Sequence, residues 1–384
     1  MAVFGIVASA AVDAGLAQTP VSTAVEHILA AGPNGVGQRE AARAAQTLAT
    51  AGPSIVPELL AAMRRANPIA RNFLRNAVEV AIENGKNRNE GLPVAALQQF
   101  VLDREQLPQA RRFAYELLLP ETPDWCDRVL ADMLDDPSLE LRRDAVAQLV
   151  ASVPKEVNAN TRDEAIAKLQ RAFEAARDRD QVRAIATRLR ELGVAADVNR
   201  HDGFVLSWWL TGPFDNTDRA GFARVYPPET KAFPDLSATY PGKHGTVGWK
   251  PWRVPQGQTA VDLNTALVEE KEVVGYALAC VVSPRAQTVS IRFSTVNAVA
   301  LWVNGKKYAG FEIYHSGVQP DQYVVDVPLR KGKNSVLVKL CQNEQTQSWA
   351  RPWEFSLRIC DALGGGGVVE VVDATQVAPE QVWK

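Results

Sequence analysis

The chain has 384 residues, 46% of them hydrophobic and 22% charged, with a formal net charge of −2. That length accommodates roughly two or three domains, each large enough to bury its own core. The near-neutral balance excludes a general polyanion binder, because no long-range field draws nucleic acid or anionic lipid to the molecule.

The first 20 residues are apolar and small. AVFGIVASAAVDAGLA (2–17) has the apolar run and small-residue ending of a secretory signal, although no basic residue precedes it and Asp13 interrupts it. The expectation is a signal peptide on an exported, periplasmic or extracellular protein; the other reading is a terminal tail on a cytoplasmic one. No stretch is long and apolar enough to span a membrane.

Residues 21–196 read as an α-helical repeat. Arg39, Arg71, Arg111, Arg142 and Arg183 each open a similar helical stretch, among them REAARAAQTL, RNFLRNAVEV and RRDAVAQLV. Small and apolar residues then recur at helical spacing: Ala42 and Ala45, Leu74 and Ala77, Ala114 and Leu117, Ala145 and Leu149, Ala186 and Leu189. Further helices are expected at SIVPELLAAMRR, PVAALQQFVLD and DWCDRVLADML, with prolines 53, 93, 123 and 154 between helices. Paired helices of this kind stack into a solenoid, since one pair cannot bury its own apolar face. LeuArgArgAspAla (141–145) and ValArgAlaIleAla (182–186) resemble the second-helix pattern of HEAT-type repeats. The resemblance implies a surface for a protein partner. A compact helical domain that supports its neighbour is the other reading.

At LSWWLTGPFDN (206–216) the pattern changes to short apolar runs. In a strand Trp208 and Trp209 point to opposite faces. One is expected in the core of a sheet domain, and the other against the final helix (Ile185, Leu189, Leu192), so that the pair bolts two domains together. Gly212-Pro213 is expected to end the strand, because Pro gives up a ladder donor.

Residues 203–361 contain eight strand-like runs: FVLSWWL, GYALACVV, TVSIRFST, AVALWV, KKYAGFEI, YVVDVPL, SVLVKLC and WEFSLRI. Asn304-Gly305 is a two-residue hairpin signal, and Gly332 with Asn334 marks another turn. Such a series without intervening helices predicts an antiparallel β-sandwich or jelly roll. SerThrValAsnAlaValAlaLeuTrpValAsnGlyLys (294–306), LeuArgLysGlyLysAsnSerValLeuValLys (329–339) and TrpGluPheSerLeuArgIle (353–359) resemble galactose-binding-like jelly rolls, accessory carbohydrate-binding domains of large exported bacterial proteins. Where members commonly carry an acidic residue before the VxLWVNG strand, this chain has Thr295 and Asn297. Residues 362–384 read as a Gly-rich joint (364–367) followed by a terminal strand or tail.

Sugar recognition needs aromatic faces beside amide, carboxylate or guanidinium groups. Trp349, Arg351 and Trp353 in one loop, Trp249 and Trp252 in a second, and Tyr314 with His315 in a third have that composition; each set could equally cap or pack the domain. Asp215, Asn216 and Asp218 offer oxygens for a structural Ca²⁺, without the spacing of an EF-hand loop; an Asx-stabilised turn is the alternative. The four cysteines form no C-x-x-C motif. Cys341 and Cys360 are expected at opposite ends of a hairpin, which leaves buried thiols or one disulfide to Cys280.

Catalytic motifs are lacking. His27, His201, His244 and His315 have no metal-ligand spacing, and the sequence contains no nucleophile elbow, P-loop or dinucleotide fingerprint. The reading is therefore a non-catalytic adaptor without a cofactor, its solenoid holding a protein and its jelly roll holding carbohydrate or protein. The alternatives are a structural subunit without a small-molecule ligand and a glycan-active enzyme, whose two carboxylates would have to converge in space.

Overall fold

The computed structural model describes residues 20–384, so the expected signal segment at 1–17 lies outside the described residues. The chain is helical to Asp202 and then folds into antiparallel β-sheets that form a sandwich-like domain. Among the described residues, no helix is long and apolar enough to cross a membrane. Compactness divides the chain into one unit ending at Ser152 and a second running from Val153 to Lys384.

In the first unit the helices alternate in pairs: α1 (Pro20–Leu29) with α2 (Gln38–Thr50), α3 (Val56–Ala62) with α4 (Pro68–Asn87), α5 (Val94–Leu102) with α6 (Pro108–Leu118), and α7 (Pro123–Leu130) with α8 (Leu139–Ala151). Asn67 shows how one of them starts. Its Oδ1 accepts from the backbone N–H of Ile69 and Ala70 at 3.0 Å each, and Pro68 fills the first helical position, where no donor is needed. The recurring Arg has a definite task in two of the pairs. Arg71 Nε donates to Met63 O at 3.2 Å, and Arg111 Nε to Val101 O at 2.8 Å. Arg111 thereby satisfies a carbonyl that the end of α5 leaves without a backbone donor, and Arg71 adds a second donor to Met63 O, which also accepts from Ala66 N at 3.3 Å. Of the residues expected at helical spacing, Ala45, Leu74, Ala77, Ala114 and Ala145 lie in one buried cluster with Leu117 packed against it, whereas Ala42 is exposed and Ala41 takes the inward position on that helix.

The second unit opens with α9 (Arg162–Ala175), α10 (Arg179–Glu191) and the short α11 (Val198–Asp202). Strands β1 (Ser207–Asp215), β2 (Thr239–Pro241), β3 (Thr246–Gly248), β4 (Lys250–Arg253) and β5 (Ala260–Asp262) follow, then the turn-like α12 (Leu263–Ala266). The remaining strands are β6 (Val273–Ser283), β7 (Gln287–Thr295), β8 (Ala298–Val303), β9 (Lys306–Phe311), β10 (Tyr323–Leu329), β11 (Gly332–Gln342), β12 (Glu354–Cys360) and β13 (Glu370–Val371). One sheet runs β4-β1-β6-β11-β8-β9 with β13 added beside β6; the other runs β10-β7-β12-β5; β2 and β3 form a small hairpin. All eight strand-like runs of the sequence appear as strands.

Between the two sheets lies a core that includes Trp208, Leu210, Ile291, Phe293, Phe355 and Leu357. A second core covers the opposite face of the larger sheet and includes Trp209, Phe214, Tyr276, Trp302 and Leu337. Its cover comes from the segment after β1, through Tyr226 and Leu236, and from the tail, through Ala374 and Val382. Lys339, on that face, explains how the cover is held. Its buried ammonium donates to Phe222 O, Arg224 O and Glu229 Oε1 at 3.0, 2.7 and 2.7 Å. All three ammonium protons are therefore matched, which a buried charge requires.

Several expectations change here. Trp208 and Trp209 do face opposite ways, but Trp209 packs into the second core, and neither Leu189 nor Leu192 belongs to either tryptophan's cluster. The strand does not stop at Gly212-Pro213. It continues to Asp215 through a bulge between Thr211 and Phe214, with the Gly212–Pro213 peptide cis; a bulge is one of the places where a sheet tolerates Pro. Cys341 and Cys360 are not in one hairpin, since β11 and β12 belong to different sheets, and all four cysteines are free and buried. The Gly-rich stretch is a close crossing and not an open joint. Gly366 N donates to His201 O at 2.7 Å, and a Cβ on Gly366 would lie 2.1 Å from Gly203 N.

Candidate ligand site

One end of the sandwich collects two of the three aromatic loops that the sequence marked, together with the turn after β1. Asn216, just past β1, donates from Nδ2 to Gln342 O at 2.8 Å and to the Tyr314 hydroxyl at 3.3 Å. His315 Nε2 meets Asn343 Oδ1 at 2.7 Å, and its ring stands edge-on to Trp349 with centroids 5.2 Å apart. Arg219 lies 5.4 Å from the Tyr314 ring centroid and pairs with Glu344. That pairing lowers the Glu344 carboxyl to about 2. Burial raises the Tyr314 phenol far above its ordinary value, so it stays protonated.

Beneath these loops is an amide framework. Buried Gln342 donates from Nε2 to Ala350 O and Pro352 O, each at 3.1 Å. Buried Asn297 donates to Pro352 O at 3.1 Å and accepts from Glu354 N at 3.2 Å. The 348–352 turn that carries Trp349 is thus fixed from below by two side chains that cannot titrate. Asn297 builds the site's floor.

Arg351 forms a bidentate pair with Glu269, Nε–Oε1 2.7 Å and Nη2–Oε2 2.9 Å, which holds the Glu269 carboxyl below its usual range. Both groups line a depression of about 620 Å³ together with Asn264, Thr346 and Ser348. Trp349, between Ser348 and Arg351 in the chain, is 58% exposed. The depression has a rim of amide, hydroxyl, carboxylate and guanidinium groups; exposed Trp349 lies outside its lining, in the same turn as Ser348 and against His315.

The other expected site residues do not join it. Trp353 is completely buried, donates from Nε1 to Leu340 O at 3.2 Å, and belongs to the core between the sheets. Trp252 is in register with Trp208 near the start of β1, far along that strand from Asp215, and packs on the same inner core. Trp249 packs on the opposite core and donates to the Tyr240 hydroxyl at 3.1 Å. These two rings lie on opposite faces of a sheet and cannot make one platform.

The three oxygen-bearing residues offered to Ca²⁺ have separate tasks. Asp215 Oδ1 accepts from Thr217 N at 3.3 Å and Thr217 Oγ1 at 2.7 Å, which lowers its pKa. Asn216 is turned inward, and Asp218 is exposed. The turn is the Asx alternative. Among the described residues there is no group of three or more His, Cys, Asp or Glu side chains placed to hold a metal. Sequence reading missed Arg219, Glu269, Gln342 and Asn343; the polar run QNEQ (342–345) directly after an apolar strand was the available signal.

No protein-family model and no curated protein sequence matches the chain. Among solved structures, the crystal structure of a selenomethionine-labelled beta-glucosidase from Kluyveromyces marxianus aligns with a TM-score of 0.28 and 9% identity. The alignment covers 70% of this chain and 35% of that one, so the chain spans about a third of the enzyme's length.

Proposed function

We propose that the chain is a non-catalytic binding protein in which the sandwich, read as a galactose-binding-like jelly roll, contacts carbohydrate at Trp349. In the same reading the helical pairs act as HEAT-type repeats that hold a protein partner. The observation that carries the proposal is the exposure of Trp349, two residues before Arg351, which pairs with Glu269. Burying an indole is ordinarily favourable by a few kcal/mol, yet a rigid turn holds this one in solvent. Sugar rings stack their C–H faces on such an indole, while the paired guanidinium and carboxylate address the hydroxyls. Glycan-array binding by the intact chain, compared with Trp349→Ala, tests this. Retention of a glycan that the variant loses supports the reading. An array without binding, or a variant that binds like the parent, rejects it, and stable co-purification of a protein partner would then favour a structural subunit.

A further inference from the structure

The outer face of the four-stranded sheet carries a charge arrangement that its own register makes unfavourable. Arg292 on β7 lies directly opposite Arg358 on β12, and Ser294 lies opposite Ser356. Like charges in direct cross-strand register repel. One carboxylate answers both, since Asp321 accepts from Arg358 Nε at 2.7 Å and from Arg292 Nη1 at 3.2 Å. Two guanidiniums on one carboxylate leave a local excess of positive charge at this point of the face, whose other carboxylates, Asp326, Asp262 and Glu354, stand at other register positions.

Across a cleft of about 450 Å³ stands α10, where Arg179 and Arg183, four residues apart on one helix face, line the same space. Both are exposed, and neither has an ion-pair partner among the described residues. Asp178 and Asp180 flank Arg179 in the chain but are not part of the lining. The cleft therefore sets four guanidiniums against two carboxylates, Asp321 and Asp202, in a protein whose net charge is −2. Its remaining polar lining consists of the Thr259, Ser294 and Ser356 hydroxyls and the Asn199 amide, and Val182 and Phe204 supply apolar wall.

We propose that this cleft binds a small polyhydroxylated anion, an acidic saccharide of one or two rings. Guanidinium and carboxylate match in a planar, two-point geometry. Unpaired Arg179 and Arg183 take the carboxylate, and the hydroxyl and amide groups take the ring hydroxyls. The volume lies within the range of about 300–1,000 Å³ that small-ligand pockets occupy. Trp349 is not part of the lining, so the proposal stands apart from the reading above.

Calorimetric titration of the full chain with digalacturonate, glucose 6-phosphate and neutral lactose tests it. Digalacturonate is expected to bind, more weakly as ionic strength rises, while lactose does not. Arg179→Glu with Arg183→Glu is expected to weaken binding by about tenfold or more, with the far-UV circular dichroism unchanged because both residues are exposed; the single Arg183→Gln change gives a milder loss in the same direction. Trp349→Ala is expected to leave the titration unaltered. The proposal is overturned by preference for the phosphorylated sugar over the uronate, by equal binding of lactose, or by absence of uronate binding at millimolar concentration. Unchanged affinity in the arginine variants, or loss in Trp349→Ala, overturns it as well.

Discussion

Arg177 and Asp361 meet at 3.2 Å across 184 positions of sequence, joining the second residue after α9 to the residue that follows β12. His201 makes the same connection a second way. Its Nε2 meets Ala176 O at 3.0 Å, its ring lies 4.5 Å from Phe173, and its carbonyl accepts from Gly366 N. Within the second unit, these contacts join α9 to the sandwich, the role that the sequence suggested for Trp208 and Trp209.

This placement gives a pH dependence. Burial lowers the His201 pKa below its ordinary 6.5, so the folded chain holds the ring neutral. As the pH falls, the unfolded chain takes up the proton first. The His201 contribution is therefore complete above pH 6.5 and is lost as the pH drops through the folded-state value. Urea midpoints measured from neutral to mildly acidic pH are expected to fall more steeply for the parent than for His201→Gln. Parallel curves would show that His201 does not couple protonation to folding.

Trp349 and Trp353, four residues apart, separate binding from stability. Trp353→Ala empties a fully buried ring site and is expected to cost about 3–5 kcal/mol. Trp349→Ala removes an exposed ring and is expected to change stability by less than about 0.5 kcal/mol, while abolishing glycan retention. Denaturant unfolding of both variants checks the pair. Similar losses from the two changes would contradict the assigned burial.

The same two tryptophans show what could be read from the sequence. AVALWV, SVLVKLC and TVSIRFST were legible as strands because apolar β-formers between turn residues have few other solutions. The helices were legible because Ala and Leu recur at the helical period. Alternation assigns opposite faces to Trp208 and Trp209, but it cannot say whether the outer face is wet. Here that face is covered by residues 222–249 and by the tail, segments whose own sequence has little strand or helix periodicity. Trp349 and Trp353 share a loop composition and differ only in which lies one residue before β12, a boundary beyond the resolution of pattern reading. The arginine cleft was invisible for a related reason. Arg179 and Arg183 are far in sequence from Arg292 and Arg358, and strand register is what brings the latter two together.

The cysteines offer a chemical check on the two cores. Burial raises the Cys280 and Cys360 thiols to about 11 and Cys341 to about 12, and it also raises Cys126. The thiolate is the reacting form, so little of it exists at neutral pH. Iodoacetamide is expected to leave the native protein unlabelled and to label all four sites in denaturant, as read by intact mass. Rapid native labelling at Cys280 or Cys341 would mean that the cover over the outer face opens readily.

Arg111 and Asp136 test the helical unit. Their side chains are 1% and 0% exposed and are joined by two bonds, at 2.8 and 2.9 Å. Asp136 Oδ1 also accepts from Ser138 N at 2.8 Å, and Arg111 also donates to Val101 O. Three of the five guanidinium N–H donors are thus engaged without water. Removing one partner strands the other charge in a dry interior, so Asp136→Ala is expected to cost about 3–5 kcal/mol. The exposed pair Arg75–Glu79 on α4, at 3.0 Å, provides the contrast; Glu79→Ala is expected to cost no more than about 0.5 kcal/mol. Replacing both buried partners together, Arg111→Met with Asp136→Leu, removes the stranded charge and is expected to recover much of the single-variant loss. Urea unfolding of the four proteins decides the matter: if Asp136→Ala behaves like Glu79→Ala, the buried pair is not a fixed part of the fold.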